Sequence, residues 1–314
     1  MIPRERFLKA LELEEPDRIP TFELEFQVPE LFIGKKMIVG EEYDKMVSEG
    51  KVRKVTEHNV DILIRICRAL DYDAIRLYAV PDIVYAIKLV KKKAPELAII
   101  GTADGTLSIP GNWNDFVKLT REIRYRRSEL KNRLLQRIRV EIERAKEQIE
   151  SGADVIIGCA DYCTNTGPFL SPEDFEDLVF PYLRRLVNAV HRSGAFFIKH
   201  TDGNLWPIID NLVNTGIDAL HSIDPVAGMD IGKLKKMYGD RICLCGNVDI
   251  GLLHLGSPNE VIREVKKCIN AAAHGGGYIL STSNVIQKNH KKENILAMIE
   301  TAKKYGKYPL KLSK

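Results

Sequence analysis

AFFIKHTDGNLWPIIDNLVNTGIDALHSIDPVAGMDIGKLKKMYGDRICLCGNVD, residues 195–249, repeats one pattern. An apolar run, Ala195–Lys199, ends in His200, Thr201 and Asp202, and a helical stretch follows. Gly216-Ile217-Asp218 leads into the next apolar run, Ala219–Ser222, which is followed by Asp224. Asp230 caps the helix GKLKKMYG, Gly239 stops it, and Ile242–Gly246 is apolar again. Apolar runs of about 4–8 residues between such punctuation read as strands, and the 3.6-residue patterns between them as helices.

Outward from this stretch the alternation fills the chain. The predicted strands are Thr21–Phe26, Ala74–Leu77, Leu97–Gly101, Asp154–Gly158, Ala195–Lys199, Ala219–Ser222, Ile242–Gly246 and Tyr278–Ser281. Helices are predicted to start at Ser171-Pro172-Glu173-Asp174 and at Ser257-Pro258-Asn259-Glu260, each with a capping Ser and Pro at the first helical position. A long helical pattern runs from Arg121 to Glu150. Gly275-Gly276-Gly277 precedes a strand, which predicts a turn of unusual backbone geometry rather than a phosphate loop. Eight strands alternating with helices, and no linker or composition shift, predict an α/β single-domain (β/α)8 TIM barrel over residues 1–314. An open dinucleotide-binding sheet is disfavoured because no G-x-G-x-x-G follows the first strand.

Composition narrows the function classes. Of 314 residues, 45% are hydrophobic and 29% charged, which excludes a disordered or collagen-like chain. The net charge of +4 is too small to argue for nucleic acid. The longest stretch free of acidic and basic side chains, Cys268–Gln287, contains the Gly triplet and several Ser and Asn, so no membrane span is expected. The first twenty residues are charged from Arg4 on and lack an apolar segment, so a cytoplasmic protein is expected. Its 6 Cys, mostly within apolar runs, read as reduced thiols.

In a (β/α)8 barrel the active site lies at the C-terminal strand ends. His200 and Asp202 are two residues apart and point the same way, with His221 on the neighbouring strand end. Two imidazoles and a carboxylate there could hold Zn2+ with an open position. They could equally form an acid/base pair, bind a substrate through hydrogen bonds, or merely stabilise the loop. Asp161, Glu25, Tyr78, Asn247 and Ser283 stand at other strand ends. The cysteine pairs Cys159/Cys163 and Cys243/Cys245 read as small hydrophobes. The basic run from Lys118 to Glu147 reads as a solvated helix face, with docking of an acidic partner the alternative.

The phrases RERFLKALELEEPDRIP (4–20), DYCTNTGPFLSPEDFEDLVFPYLRRLV (161–187), KHTDGN…CGNVD (199–249) and GGGYILSTSNVI (275–286) resemble, in order, the uroporphyrinogen decarboxylase superfamily. The resemblance implies the same barrel. It also marks departures from porphyrinogen decarboxylases. Where these carry R-Q-A-G-R after strand one, this chain reads FELEFQVPELFIGKK (22–36), acidic and without Arg. Leu77-Tyr78-Ala79 stands where they have an essential Asp, and Ser283 where they have a late His. The corrinoid-linked branch binds Zn2+ through H-x-C and a later Cys. Here the first phrase is His200-Thr201-Asp202 and the second holds only Ser281–Ser283.

Loss of both thiolates suits an ether oxygen better than a thiol. The resemblance therefore implies transfer of a methyl group from a methoxylated, aromatic compound to cob(I)alamin on a separate corrinoid protein. Decarboxylation is the alternative. The implied roles are metal or acid for His200, Asp202 and His221, and orientation of the substrate for Asp161, Asn247 and Ser283. Tyr78, Phe169 and Trp206 would supply apolar walls.

Overall fold

Seven of the predicted strands form in the computed structural model, which describes residues 1–311. They are β1 (Ala74–Arg76), β2 (Ala98–Thr102), β3 (Val155–Gly158), β6 (Phe196–Thr201), β7 (Ala219–Ser222), β8 (Cys243–Cys245) and β9 (Tyr278–Ile279). A short antiparallel hairpin, β4 (Cys163–Thr164) and β5 (Gly167–Pro168), is inserted after β3. The seven pair in parallel in the order β1-β2-β3-β6-β7-β8-β9, with helices in the crossovers, as right-handed β/α units require.

The first predicted strand, Thr21–Phe26, is where expectation and structure differ. It lies between β9 and β1 but makes only isolated parallel bridges, Thr21 to Leu280 and Phe26 to Ile286. Two of its N–H groups are drawn to side chains instead of a ladder. Thr21 N donates to the Asp73 carboxylate (2.8 Å) and Phe26 N to the Tyr78 hydroxyl (2.8 Å). On the β1 side Asp73 N donates to Thr21 O at 2.8 Å, and on the β9 side Leu280 N donates to Pro20 O at 3.0 Å. The segment thus fills the eighth position and closes the barrel without forming a regular strand.

Alternation along the strands sorts the side chains. Phe22, Ala98, Ile100, Val155, Ile157, Ile198, Cys243, Cys245 and Ile279 form the interior core, and Phe7, Ala10 and Leu11 of the helix Pro3–Leu11 join it. The intervening residues, such as Ile99, Ile156, Phe197 and Leu244, belong to the outer core under the helices. One step further along the inward set come Arg76, Thr102, Cys159, His200, His221 and Ser281. A polar layer therefore tops an apolar barrel.

The helix predicted from Arg121 to Glu150 is two helices, Trp113–Tyr125 and Arg127–Ser151, with Arg126 as the joint. Only the second buries side chains, Leu130, Leu134, Ile138, Ala145 and Gln148. The predicted caps form: Asp174 N donates to Ser171 Oγ, and Ser257 makes a capping box with Glu260. All three glycines of the 275–277 turn have positive φ. No helix among the described residues is long and apolar enough to cross a membrane.

Candidate active site at the barrel mouth

Strands β6 and β7 are paired so that His200 lies directly opposite His221. Their Nδ1 atoms are 2.8 Å apart, and His221 Nε2 is 3.0 Å from Ser281 Oγ. The direction of this chain of bonds follows from its end. The Ser281 hydroxyl donates to Thr282 O (3.0 Å), so it accepts from His221 Nε2–H. His221 Nδ1 is then the acceptor of a hydrogen bond from His200 Nδ1–H. This leaves His200 Nε2 as a lone pair aimed at the cleft, 3.9 Å from Asp161 Oδ1 and 3.9 Å from Asp202 Oδ1.

Asp161, His200 and Asp202 each present one donor atom within 4.8 Å of the others. Each carboxylate is held. Ser222 Oγ donates to Asp202 Oδ1 at 2.6 Å and Asn284 Nδ2 to Oδ2 at 2.5 Å. Asp202 N in turn donates to Asp161 Oδ1 (3.1 Å), and Ser108 accepts from Asp161 N (3.1 Å). After Asp202 the chain needs glycine, because a Cβ on Gly203, at φ +89°, would come within 2.3 Å of Cys163 O.

Burial sets the protonation of the cluster. Burial holds His200 well below the usual imidazole range, helped by His221, Lys199 and Arg76, and lowers His221 to about 3. Burial and the nearby charges of Asp161 and Asp224 push Asp202 up to about 6, against the hydrogen bonds from Ser222 and Asn284. The result is two neutral imidazoles beside two crowded carboxylates, with no basic side chain paired to either carboxylate among the described residues. One nitrogen and two oxygen donors of this kind fit a divalent cation, and the residues behind them act as orienting partners. Of the predicted metal set, the structure brings His200 and Asp202 together with Asp161. Both nitrogens of His221 are engaged, so it stands behind His200 as its orienter.

A cavity of about 810 Å³ adjoins this cluster on the β1–β2 side rather than containing it. Glu25, Arg76 and Tyr78 line it, with Met37, Leu77 and Ile83 among its apolar walls. Glu25 and Tyr78 thus share this cavity with Arg76. Tyr78 contributes its ring, since its hydroxyl donates to Phe26 O at 2.6 Å.

Other predicted residues lie elsewhere. Asn247 donates to Ile223 O (2.8 Å) and lines a separate 280 Å³ cavity with Met229 and Cys268, away from the mouth. Ser283 is buried and accepts from Ile250 N at 3.4 Å, steadying the helix Ile250–Leu255. Phe169 packs on Phe175, the Trp206 indole donates to Gly228 O, and neither lines the 810 Å³ cavity. Glu23, which the sequence places beside Glu25, accepts two bonds from Thr282 and lies outside the 810 Å³ cavity. All six cysteines are free, and burial raises the thiols of Cys159, Cys163 and Cys245, as suits small packed groups. Sequence reasoning missed Ser222, Asn284 and Ser281 as orienters, and gave Arg76 no role.

The uroporphyrinogen decarboxylase (URO-D) family profile matches residues 51–305. Uroporphyrinogen decarboxylase of Trichodesmium erythraeum (strain IMS101) is 30% identical over 161 residues, 51% of this chain and 43% of that protein. The Chlorobium luteolum enzyme of the same name is 26% identical over 231 residues, 69% of this chain and 63% of that protein. The chain spans less than two thirds of the length of either. A methyltransferase from Methanosarcina mazei superimposes with a TM-score of 0.77 over 97% of this chain and 99% of its own, at 18% identity. That likeness shows the fold.

Proposed function

The chain belongs to the uroporphyrinogen decarboxylase family, and from that premise we propose that it is a corrinoid-linked methyltransferase. It would remove a methyl group from a methoxylated aromatic compound and pass it to cob(I)alamin on a separate corrinoid protein. The observation that carries this reading is the bare His200 Nε2 between Asp161 and Asp202 at the mouth. A phenolate is a poor leaving group, so demethylation needs stabilisation of charge developing on the ether oxygen. Zn2+ held by Asp161, His200 and Asp202 would supply Lewis acidity for that oxygen.

The chain's own residues do the positioning. Ser281 and His221 fix the His200 tautomer, so that Nε2 carries no proton. Ser222 and Asn284 fix the Asp202 carboxylate. With its pKa near 6, Asp202 can also hold a proton and release it, which suits a general acid at the ether oxygen where no metal is bound. A donor set without thiolate favours oxygen over sulfur substrates. The free cysteines agree with a reducing, cytoplasmic setting, which cobalt(I) chemistry needs.

The direct test mixes zinc-reconstituted protein with cob(I)alamin and a panel of methoxybenzenes and follows methylcobalamin spectrally. Methylcobalamin is expected with the wild type and not with His200→Gln. No methylcobalamin from any donor, together with carbon dioxide release from a porphyrinogen, would replace this reading with the decarboxylase one.

A further inference from the structure

Arg6 and Arg76 are both largely enclosed, and they are bonded very differently. Arg6, below the barrel, donates to Asp17 at 2.6 and 2.9 Å, to Asp73 at 2.5 Å and to Met1 O at 2.8 Å. Arg76, at the inner end of β1, leaves only 11% of its side chain exposed, and its Nε is buried with no hydrogen-bond partner. Its one carboxylate neighbour among the described residues, Glu25, stands off at 3.5 Å and is itself 36% exposed. A guanidinium has five N–H donors, and leaving a buried one such as Nε unmet is unfavourable.

Its position gives the unmet donor a use. Arg76 lines the 810 Å³ cavity and packs over the Tyr78 ring with its guanidinium carbon 5.6 Å from the centroid. Its charge also reaches His200. It therefore stands between the open cavity and the reactive cluster. Lys36, Arg144 and Lys288 lie on the exposed rim of the same cavity, against Glu25 and Glu30, so the entrance favours anions.

We propose that Arg76 is a binding residue for a carboxylate on the substrate, gripping it by the guanidinium fork so that the rest of the molecule extends towards His200. The fork matches a planar carboxylate in a way a lysine cannot. The ligand class is then an aromatic carboxylic acid. Naming it as the methyl donor rests on the methyltransferase reading, whereas the carboxylate grip does not.

Calorimetric titration tests this with 4-methoxybenzoate and its uncharged counterpart 4-methoxytoluene. Saturable binding of the acid by the wild type is expected, weakened about 10- to 100-fold in Arg76→Gln, with the neutral probe bound equally by both. Arg76→Lys, which keeps the charge and loses the fork, should fall between them, and it carries the test if the Gln variant does not fold. No saturable binding of the acid by the wild type, or equal binding by all three proteins, would overturn the proposal. The two readings fail separately. Arg76-dependent binding without methyl transfer to cob(I)alamin would sink the methyltransferase and keep the grip. Methyl transfer from 4-methoxybenzoate, unchanged in Arg76→Gln, would do the reverse.

Discussion

Two polar clusters are buried at opposite ends of the same barrel, and they are built on different principles. Below the strands, Arg6 and Arg18 enclose Asp73, which also accepts from Thr21 N, and Arg6 holds Asp17 down to about 2. Every charge there has its opposite. At the mouth, Asp161 and Asp202 face each other and a bare imidazole nitrogen, and Asp202 is pushed up to about 6. The lower cluster is complete without a ligand and ties the irregular 17–21 segment to β1. The upper one is held in place by Ser222, Asn284, Ser281 and His221, with no Lys or Arg paired to its carboxylates among the described residues. Completeness marks the structural cluster, and geometric restraint without charge balance marks the chemical one.

The comparison can be broken most forcefully from below. Asp73→Ala removes the carboxylate that both arginines share and should lower stability by about 3–5 kcal/mol in urea unfolding. A loss under about 1 kcal/mol would show that the lower cluster is not what ties the N-terminal segment.

At the mouth, changing the orienter should hurt affinity rather than fold. His221→Phe removes the acceptor that fixes the His200 tautomer, and zinc affinity should drop about 10- to 100-fold by competition with a chelator. Unchanged affinity would mean His200 needs no orienter.

Asp202→Asn should have the opposite sign to Asp73→Ala. In the metal-free protein the folded pKa of Asp202 lies near 6, above its ordinary value of 3.8. Between these values the folded state keeps a proton the unfolded state has released, so this residue's contribution to stability falls as pH rises through that window. Above pH 6 the variant should be more stable than the wild type by on the order of 1–2 kcal/mol, discounted for the 29% exposure of the side chain. Comparing the two proteins cancels the histidines, whose burial acts the other way on acidification. The gain should vanish near pH 4, and a pH-independent difference would contradict the assignment.

The smallest effect is expected at the rim. Lys288→Gln should change stability by less than about 0.5 kcal/mol. It should only weaken the salt dependence of anion binding.

Much of this was legible in the sequence. The apolar runs, the capping serines and the Gly triplet located the barrel, and the strand-end rule located His200, Asp202 and Asp161. The first strand was misread because its apolar pattern is sound while the N–H groups of Thr21 and Phe26 go to Asp73 and Tyr78, partners more than 50 residues away. His221 was placed in the metal set because adjacency of strand ends does not say which imidazole faces the cleft. That depends on Ser281, across the barrel. Asn247 was misplaced because the strand-end rule says nothing about which way a residue beyond β8 turns. Arg76 was visible at a strand end, but its lack of partners appears only once its neighbours are known.

The most direct test of the central claim is the metal content of the zinc-reconstituted wild type, measured beside His200→Gln. The account predicts about one zinc per wild-type chain and none in the variant. Zinc-free wild type, or equal zinc in both, would contradict it and leave the mouth as an acid/base site.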